Sequence, residues 1–182
     1  LRGRLLREIL ENADFDERTR QQLKSLGIDW EKDTPLHIML SSARGEEGPG
    51  DIIEQYRAGQ ELVRQMEQHL GDCYSIYPAE MSDRRMAWLL DRKRPSSFPV
   101  QEPVLIQGRI EMLQEAAKPG YSFVLYPDSV CLENLREAYL RIEKAMNTMP
   151  ALSESFFILN PAKVRIEKLD MEVISRRIRI WL

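Results

Sequence analysis

Apolar residues recur along this chain with two different periods. Some segments place them every three or four positions, which is typical of helices that bury one face, and others are short apolar runs typical of strands. The helical pattern occurs in five segments, residues 1–10, 14–27, 51–71, 106–117 and 132–146. The strand pattern also occurs in five, residues 35–40, 73–81, 85–91, 121–126 and 155–159. After residue 161 the spacing of Ile166, Leu169, Val173 and Ile174 is again helical, although the closing RIRIWL also fits a strand.

The order of these segments predicts the fold. From residue 31 it reads β-α-β-β-α-β-α-β, which favours an α/β (α+β) domain with a mixed central sheet flanked by helices. The second and third strands are joined by the short polar link 82–84, so we expect them to form an antiparallel hairpin. We therefore divide the chain into an N-terminal helical connector (1–30), one sheet domain (31–160) and a C-terminal linker segment (161–182).

Composition excludes several classes of protein. Hydrophobic residues make up 43% and charged residues 30% of the chain, which supports a packed core, and the net charge of −3 disfavours a nucleic-acid-binding face over the whole domain. No apolar run approaches the roughly 20 residues of a membrane helix, so we expect a cytoplasmic domain without direct membrane contact. The chain has no initiator Met and opens and closes in helix-like sequence, from which we expect a fragment of a longer protein.

The sequence offers few residues for catalysis or metal binding. Cys73 and Cys131 have no metal-ligand spacing and are expected to be reduced thiols, and His37 and His69 are the only histidines. We expect His37 to be a core or edge residue of its strand and His69 to lie near a helix end. The glycine-rich GEEGPGD lacks the lysine and Ser/Thr of a phosphate-binding loop. We therefore expect no metal site and no cofactor.

Five stretches of the chain together resemble a known family. They are the opening LRGRLLREIL, the following LKSLGIDW, then PLHIMLSSA, YSFVLYPDSVCLENLREAYLRIEKAMN and ESFFIL. Their pattern and order, over roughly residues 1–160, are similar to the degenerate GGDEF-like middle domain of YesN-like, AraC-type bacterial transcription regulators. The resemblance implies a GGDEF / nucleotidyl-cyclase-like fold, with a receiver or membrane sensor before it and a DNA-binding helix-turn-helix after it.

The same resemblance raises the question of whether the hairpin retains the residues needed for cyclase activity. Active members carry Gly-Gly-Asp/Glu-Glu-Phe there and a further Asp on the first strand to hold Mg²⁺. Here residues 82–86 read Ser-Asp-Arg-Arg-Met without a glycine, and residues 37–42 contain no carboxylate. One turn Asp cannot hold two Mg²⁺ ions on a triphosphate, since such ions need many oxygen ligands. We therefore expect a protein that is not an enzyme and has no catalytic residues.

Three functions compete on these grounds. The first is a regulatory domain that relays a signal to the helix-turn-helix, as a homodimer through its terminal helices, with DNA bound by the other domain alone. The second is a small-molecule sensor with a nucleotide-like ligand, for which Asp83, Arg84 and Arg85 are the candidate binding residues against the simpler reading of a polar turn. The third, a divergent nucleotidyl cyclase, is disfavoured by the missing glycines and acids.

Overall fold

The computed structural model describes residues 1–12, 15–43, 52–81, 85–93, 102–116, 121–148 and 156–159. Two helices open the chain, and eight further elements follow in the order expected from the sequence. The elements are α1 (Arg2–Asn12), α2 (Glu17–Ser25), β1 (Leu36–Ala43), α3 (Ile52–Leu70), β2 (Tyr74–Glu80), β3 (Arg85–Arg92), α4 (Glu102–Ala116), β4 (Tyr121–Leu125), α5 (Leu135–Thr148) and β5 (Phe156–Ile158). A short 3₁₀ turn, Leu132–Asn134, leads into α5.

The strands form one sheet in the order β2-β3-β1-β4-β5. Each neighbouring pair among the first four strands is antiparallel, and the short β5 joins β4 in parallel. The mixed sheet with helices is therefore confirmed. The predicted hairpin pairing is present as well, because β2 runs antiparallel to β3 and the Met81 amide donates to the Arg85 carbonyl at 2.9 Å. The turn itself, residues 82–84, lies outside the described residues.

Alternation along the strands separates two core layers, one on each face of the sheet. Odd-numbered positions of β1 such as Met39 pack against α3 and α4 on one face of the sheet. Even-numbered positions such as Ile38 and Leu40 pack against α1, α2 and α5 on the other face. Strand β1 lies at the centre and is buried from Leu36 to Ser41. It also runs to Ala43, three residues beyond the predicted apolar run, because β3 and β4 both pair with its polar end.

Helix α1 belongs to the core of the domain. Its apolar stripe is buried in the cluster beneath the sheet, where α1 packs against β2 and α5, and consists of Leu5, Leu6, Ile9 and Leu10. The predicted helix is confirmed, and its stripe contacts its own chain. The division into connector and domain at residue 30 stays a prediction of the sequence.

The second helix begins and ends as its sequence predicts. The sequence places Asp14 and Asp16 before this helix, and both are of a residue type that favours the N-cap position. Asp16 accepts a hydrogen bond from the Thr19 amide at 2.7 Å, and Asp14 lies outside the described residues. Beyond the C-terminus of α2, Gly27 has φ 76°, a left-handed conformation that other residues adopt at a cost. Good capping fixes the length of this helix, whose Leu23 is buried.

Two further expectations concern helices. The apolar period of α3 includes Tyr56 and therefore predicts that it is buried, but this prediction is wrong, since 64% of the residue is exposed. The helical pattern in the C-terminal segment falls on residues 160–182, which lie outside the described residues. Among the helices that are described, none combines the length and the apolar character needed to cross a membrane.

Candidate functional site

The candidate site is the end of the sheet where β1 leaves it and the β2–β3 turn enters. Ser42 lies opposite Arg85 on one side, and Ala43 lies opposite Tyr121 on the other. The sheet therefore brings the exit of β1 and the beginning of β3 together, which is the place where the family resemblance leads us to expect a nucleotide site.

Ser41, at this exit, is fully engaged in the core. Its hydroxyl accepts a hydrogen bond from the indole Nε1 of Trp88 at 2.8 Å and donates one to the Met86 carbonyl at 3.3 Å. Both Ser41 and Trp88 are buried, as expected for a tryptophan in the middle of a strand. A hydroxyl held in this way is available neither as a nucleophile nor as a metal ligand.

Arg85 is the one candidate ligand residue that the structure describes, because Asp83 and Arg84 lie outside the described residues. Its side chain extends to the last turn of α5, where Nη2 donates to Asn147 Oδ1 at 2.6 Å. Its Nε is buried and has no hydrogen-bond partner within the described parts of the chain. Arg85 thus joins the hairpin to α5.

A tyrosine on α5 shares the surroundings of Arg85. The Tyr139 hydroxyl donates to Glu143 Oε1 at 2.8 Å, and Tyr139 itself is buried. Burial, together with the hydrogen bond and negative charge of Glu143, raises the pKa of Tyr139, while the Arg85 guanidinium acts in the opposite direction. The charge of Glu11 on α1 also raises this pKa, so the hairpin, α5 and α1 meet in one polar interface.

Carboxylates are sparse at this end of the sheet. Strand β1 contains none, and Glu80 at the end of β2 is exposed. Within the described residues no group of three or more His, Cys, Asp and Glu side chains is arranged to hold a metal ion. Cys73 and Cys131 are free thiols, as expected. What this site offers chemically is a guanidinium and buried hydroxyls, and the nearby Glu143 carboxylate accepts the hydrogen bond of the Tyr139 hydroxyl.

A second polar cluster, which the sequence did not predict, lies at the opposite end of the sheet. His37 of β1 is 4% exposed, and its Nε2 is hydrogen-bonded to the carboxylate of Glu102, the first residue of α4. The Arg92 guanidinium at the end of β3 pairs with the same carboxylate. This His37–Arg92–Glu102 cluster fastens the beginning of α4 to two strands.

Burial and charge decide the protonation of His37. Burial, followed by the positive charge of Arg92, lowers its pKa to about 4, and the negative charge of Asp128 opposes this only partly. The contacting carboxylate of Glu102 also favours the imidazolium, but the ion pair with Arg92 already neutralises that carboxylate. His37 is therefore neutral at pH 7 with Nε2 as the donor. A lone histidine inside an apolar run was the one signal of this cluster, since its partners lie 55 and 65 positions further along the chain.

A third polar region is a cavity of about 240 Å³ beside α2. Its lining carries both signs of charge and one aromatic ring, from Phe15, Asp16, Glu17, Arg20, Glu31, Lys32 and Asp33. Arg20 forms ion pairs with Glu17 and Glu31 within it. The paired charges satisfy one another, so this cavity adds no candidate chemistry.

Comparison with known proteins gives no family for this chain. No protein-family model matches it, and no curated protein shows significant similarity to it.

Proposed function

We propose that this chain is a non-catalytic regulatory domain of a bacterial AraC-type transcription regulator, of the two-component response regulator type. In this proposal it is cytoplasmic and relays a signal from an upstream receiver or membrane sensor to a helix-turn-helix outside these 182 residues. The observation that carries the proposal is the state of the β1–β3 end of the sheet. There Trp88 and Met86 engage the Ser41 hydroxyl and Asn147 engages Arg85, so side chains that would face a substrate serve packing instead.

The element order supports a GGDEF-like topology as part of this proposal. An antiparallel hairpin follows the first strand and helix, and two further helix–strand units complete the sheet. The order of elements and the hairpin do not identify the family, since one architecture can serve unrelated functions.

The packing of α1 suggests how such a domain relays a signal. Leu6 and Leu10 are fully buried, and α1 packs against both β2 and α5. Arg2 Nη2 also donates to the Leu26 carbonyl at 2.7 Å, which ties α1 to the end of α2. Because packed interiors transmit displacement with little compression, a rotation of α1 is expected to shift both elements.

We also propose that the domain self-associates, but through a different face of α1 from the apolar stripe. The apolar stripe of α1 is buried in its own chain, so a second copy would meet the face of α1 that carries Arg4 and Glu8. Exposed ion pairs contribute little, so we expect any such dimer to be weak. Light scattering at rising concentration tests this, and a monomer at every concentration would remove dimerisation from the proposal.

A fusion experiment tests the relay. Residues 1–182 are placed before a DNA-binding domain whose operator is known, and reporter output is measured for wild type, Leu10→Ala and Arg4→Ala at matched protein levels. Leu10 is buried, whereas Arg4 is exposed on the same helix in the weak dimer contact proposed above, so we expect a severalfold change for Leu10→Ala and a much smaller one for Arg4→Ala. Equal output from all three proteins would refute a relay through α1.

Two assays address the competing functions. With GTP and Mg²⁺ or Mn²⁺ we expect no cyclic di-GMP, and product that disappears on Asp83→Ala would overturn our interpretation of the hairpin. Restoring the motif at residues 82–86 should not rescue activity, because β1 still lacks its carboxylate.

A thermal-shift screen against nucleotides and cyclic dinucleotides tests the sensor, since a ligand that binds the folded state raises its melting temperature. A shift that is lost in Arg85→Ala would favour the sensor over the relay.

A further inference from the structure

We propose that the outer face of α4 is the docking surface for the chain's own C-terminal segment, residues 160–182. The α4 outer face comprises Val104, Gly108, Glu111 and Met112. Docking there stands independently of the regulatory role proposed above, because it rests on the surface of α4 and on the composition and position of the segment.

Three of the four residues of the α4 outer face are apolar, although the exposed side of a surface helix is ordinarily polar. Val104 is 55% exposed and Met112 is 59% exposed, and Gly108 lies midway between them at the same four-residue spacing. The opposite side of the helix is buried through Ile106, Ile110 and Leu113. A helix that is apolar on two faces is typical of one that is covered on both sides.

Gly108 shapes this face for close contact. A Cβ added to it would meet no atom within 4 Å, so the position is open above the helix backbone. Because Gly108 has no side chain, it leaves space between Val104 and Met112 for a side chain of a second helix. Small residues at such positions let two helix backbones approach closely, as in other helix pairs.

The C-terminal segment begins close to α4. Helix α4 contacts β5, the edge strand of the sheet. The Leu159 amide, just after β5, donates to the Leu125 carbonyl at 2.8 Å. Tyr126, the residue that follows β4, donates from its amide to the Ile38 carbonyl of β1 at 3.0 Å. Leu159 is therefore separated by two strand spacings, about 10 Å, from Ile38 of β1. The neighbouring residue of β1, His37, binds Glu102, the first residue of α4.

The segment has the length and the pattern to cover this helix. Fifteen residues of α4 span about 22 Å, and residues 162–178 would span about 25 Å as a helix. Ile166, Leu169 and Val173 then lie along one side. Both helices would start at the same end of the sheet, so they would run parallel, with Val173 near the level of Met112.

Charge distinguishes this occupant from a second copy of α4. Residues 160–182 carry six basic and three acidic side chains, whereas α4 carries three acidic and one basic. Glu111 is exposed beside the stripe, and its described hydrogen-bond partner is the neutral Gln107. Packing α4 against another α4 would bring like charges together, whereas the basic segment complements them.

Cross-linking of the full chain tests the contact. Cys73 and Cys131 are replaced by Ser, and Met112→Cys is combined with Val173→Cys. After mild oxidation we expect an intramolecular disulfide in the monomer. The control combines Val173→Cys with Leu140→Cys, which is exposed on α5 across the sheet, and should form no such bond. A disulfide-linked dimer would show instead that a second copy occupies the α4 outer face, and no bond in either protein would overturn the proposal.

Hydrogen exchange supplies a readout that needs no cysteine. In the unmodified chain we expect residues 162–178 to exchange at least tenfold more slowly than an unstructured peptide. Met112→Lys places a positive charge against a basic segment, and we expect it to abolish this protection while the exchange of β1 stays unchanged. Leu140→Lys, the matched surface control, should preserve the protection. An unprotected segment in the unmodified chain, or protection that survives Met112→Lys, would refute docking at this face.

Discussion

The neutral, buried His37 makes a quantitative prediction about acid stability. Its pKa is about 4 in the folded chain, whereas an exposed histidine in the unfolded chain titrates near 6.5. The folded chain therefore binds fewer protons in this interval, so the stabilisation is complete above pH 6.5 and is lost as the pH falls towards 4. Two and a half pKa units correspond to about 3 kcal/mol in total, of which about 2 kcal/mol is lost between pH 7 and pH 5.

Urea unfolding at a series of pH values between 4 and 7.5 measures this loss. His37→Gln keeps a donor for Glu102 but does not titrate, so its free energy of unfolding should fall by about 2 kcal/mol less than that of wild type between pH 7 and pH 5. His69→Gln removes the other histidine, at the end of α3, and serves as a comparison protein in which His37 is retained. Titration of the carboxylates is common to all three proteins and cancels in the comparison.

Proton NMR identifies the group directly. With His69→Gln, the one remaining imidazole resonance should shift with a midpoint near pH 4. A midpoint at 6.5 or above would refute the assignment of a neutral His37. Equal pH dependence of stability in wild type and His37→Gln would refute the calculated magnitude.

Three further substitutions test the fold by urea unfolding at pH 7. Leu10→Ala should cost about 2–5 kcal/mol if α1 is part of the cooperative core, and a cost below about 1 kcal/mol would return α1 to the role of a connector. Gly27→Ala should cost about 1 kcal/mol from the left-handed backbone alone, since the added methyl meets nothing, and a stabilised protein would contradict this. Ser41→Ala should cost about 1–3 kcal/mol by leaving the Trp88 indole unpaired, whereas Ser42→Ala should be near neutral.

Hydrophobic periodicity predicted the elements well because most of them bury one face. The five strands and the helices of the sheet domain follow from it, and the short link 82–84 predicted the hairpin. Periodicity was less informative where pairing or exposure depends on neighbours. Strand β1 extends to Ala43 because two strands flank it, and Tyr56 is exposed although it fits the apolar period of α3.

The contacts between distant segments could not be predicted from the sequence. The apolar stripe of α1 fits a partner helix as well as its own sheet, and a sequence pattern contains no information that selects between them. His37, Arg92 and Glu102 meet through three elements, so no local spacing indicates the cluster. At the candidate site the sequence correctly indicated missing carboxylates on β1, whereas the bond between Arg85 and Asn147 depends on how α5 lies across the sheet.

The position of α1 in the core has a consequence for folding during synthesis. Leu10 joins a cluster that also contains Tyr139, almost 130 residues later in the chain. At translation rates of about 5–20 residues per second, α5 is synthesised roughly 6–26 s after α1, and the apolar stripe of α1 stays uncovered by α5 during that time. The central strand β1 is likewise synthesised well before its partner β4. Pairing between segments that lie far apart in the sequence makes folding slow. The growing chain thus exposes the apolar stripe of α1 until α5 has been made, so the yield in the cell should depend on a chaperone that shields the helix during that interval.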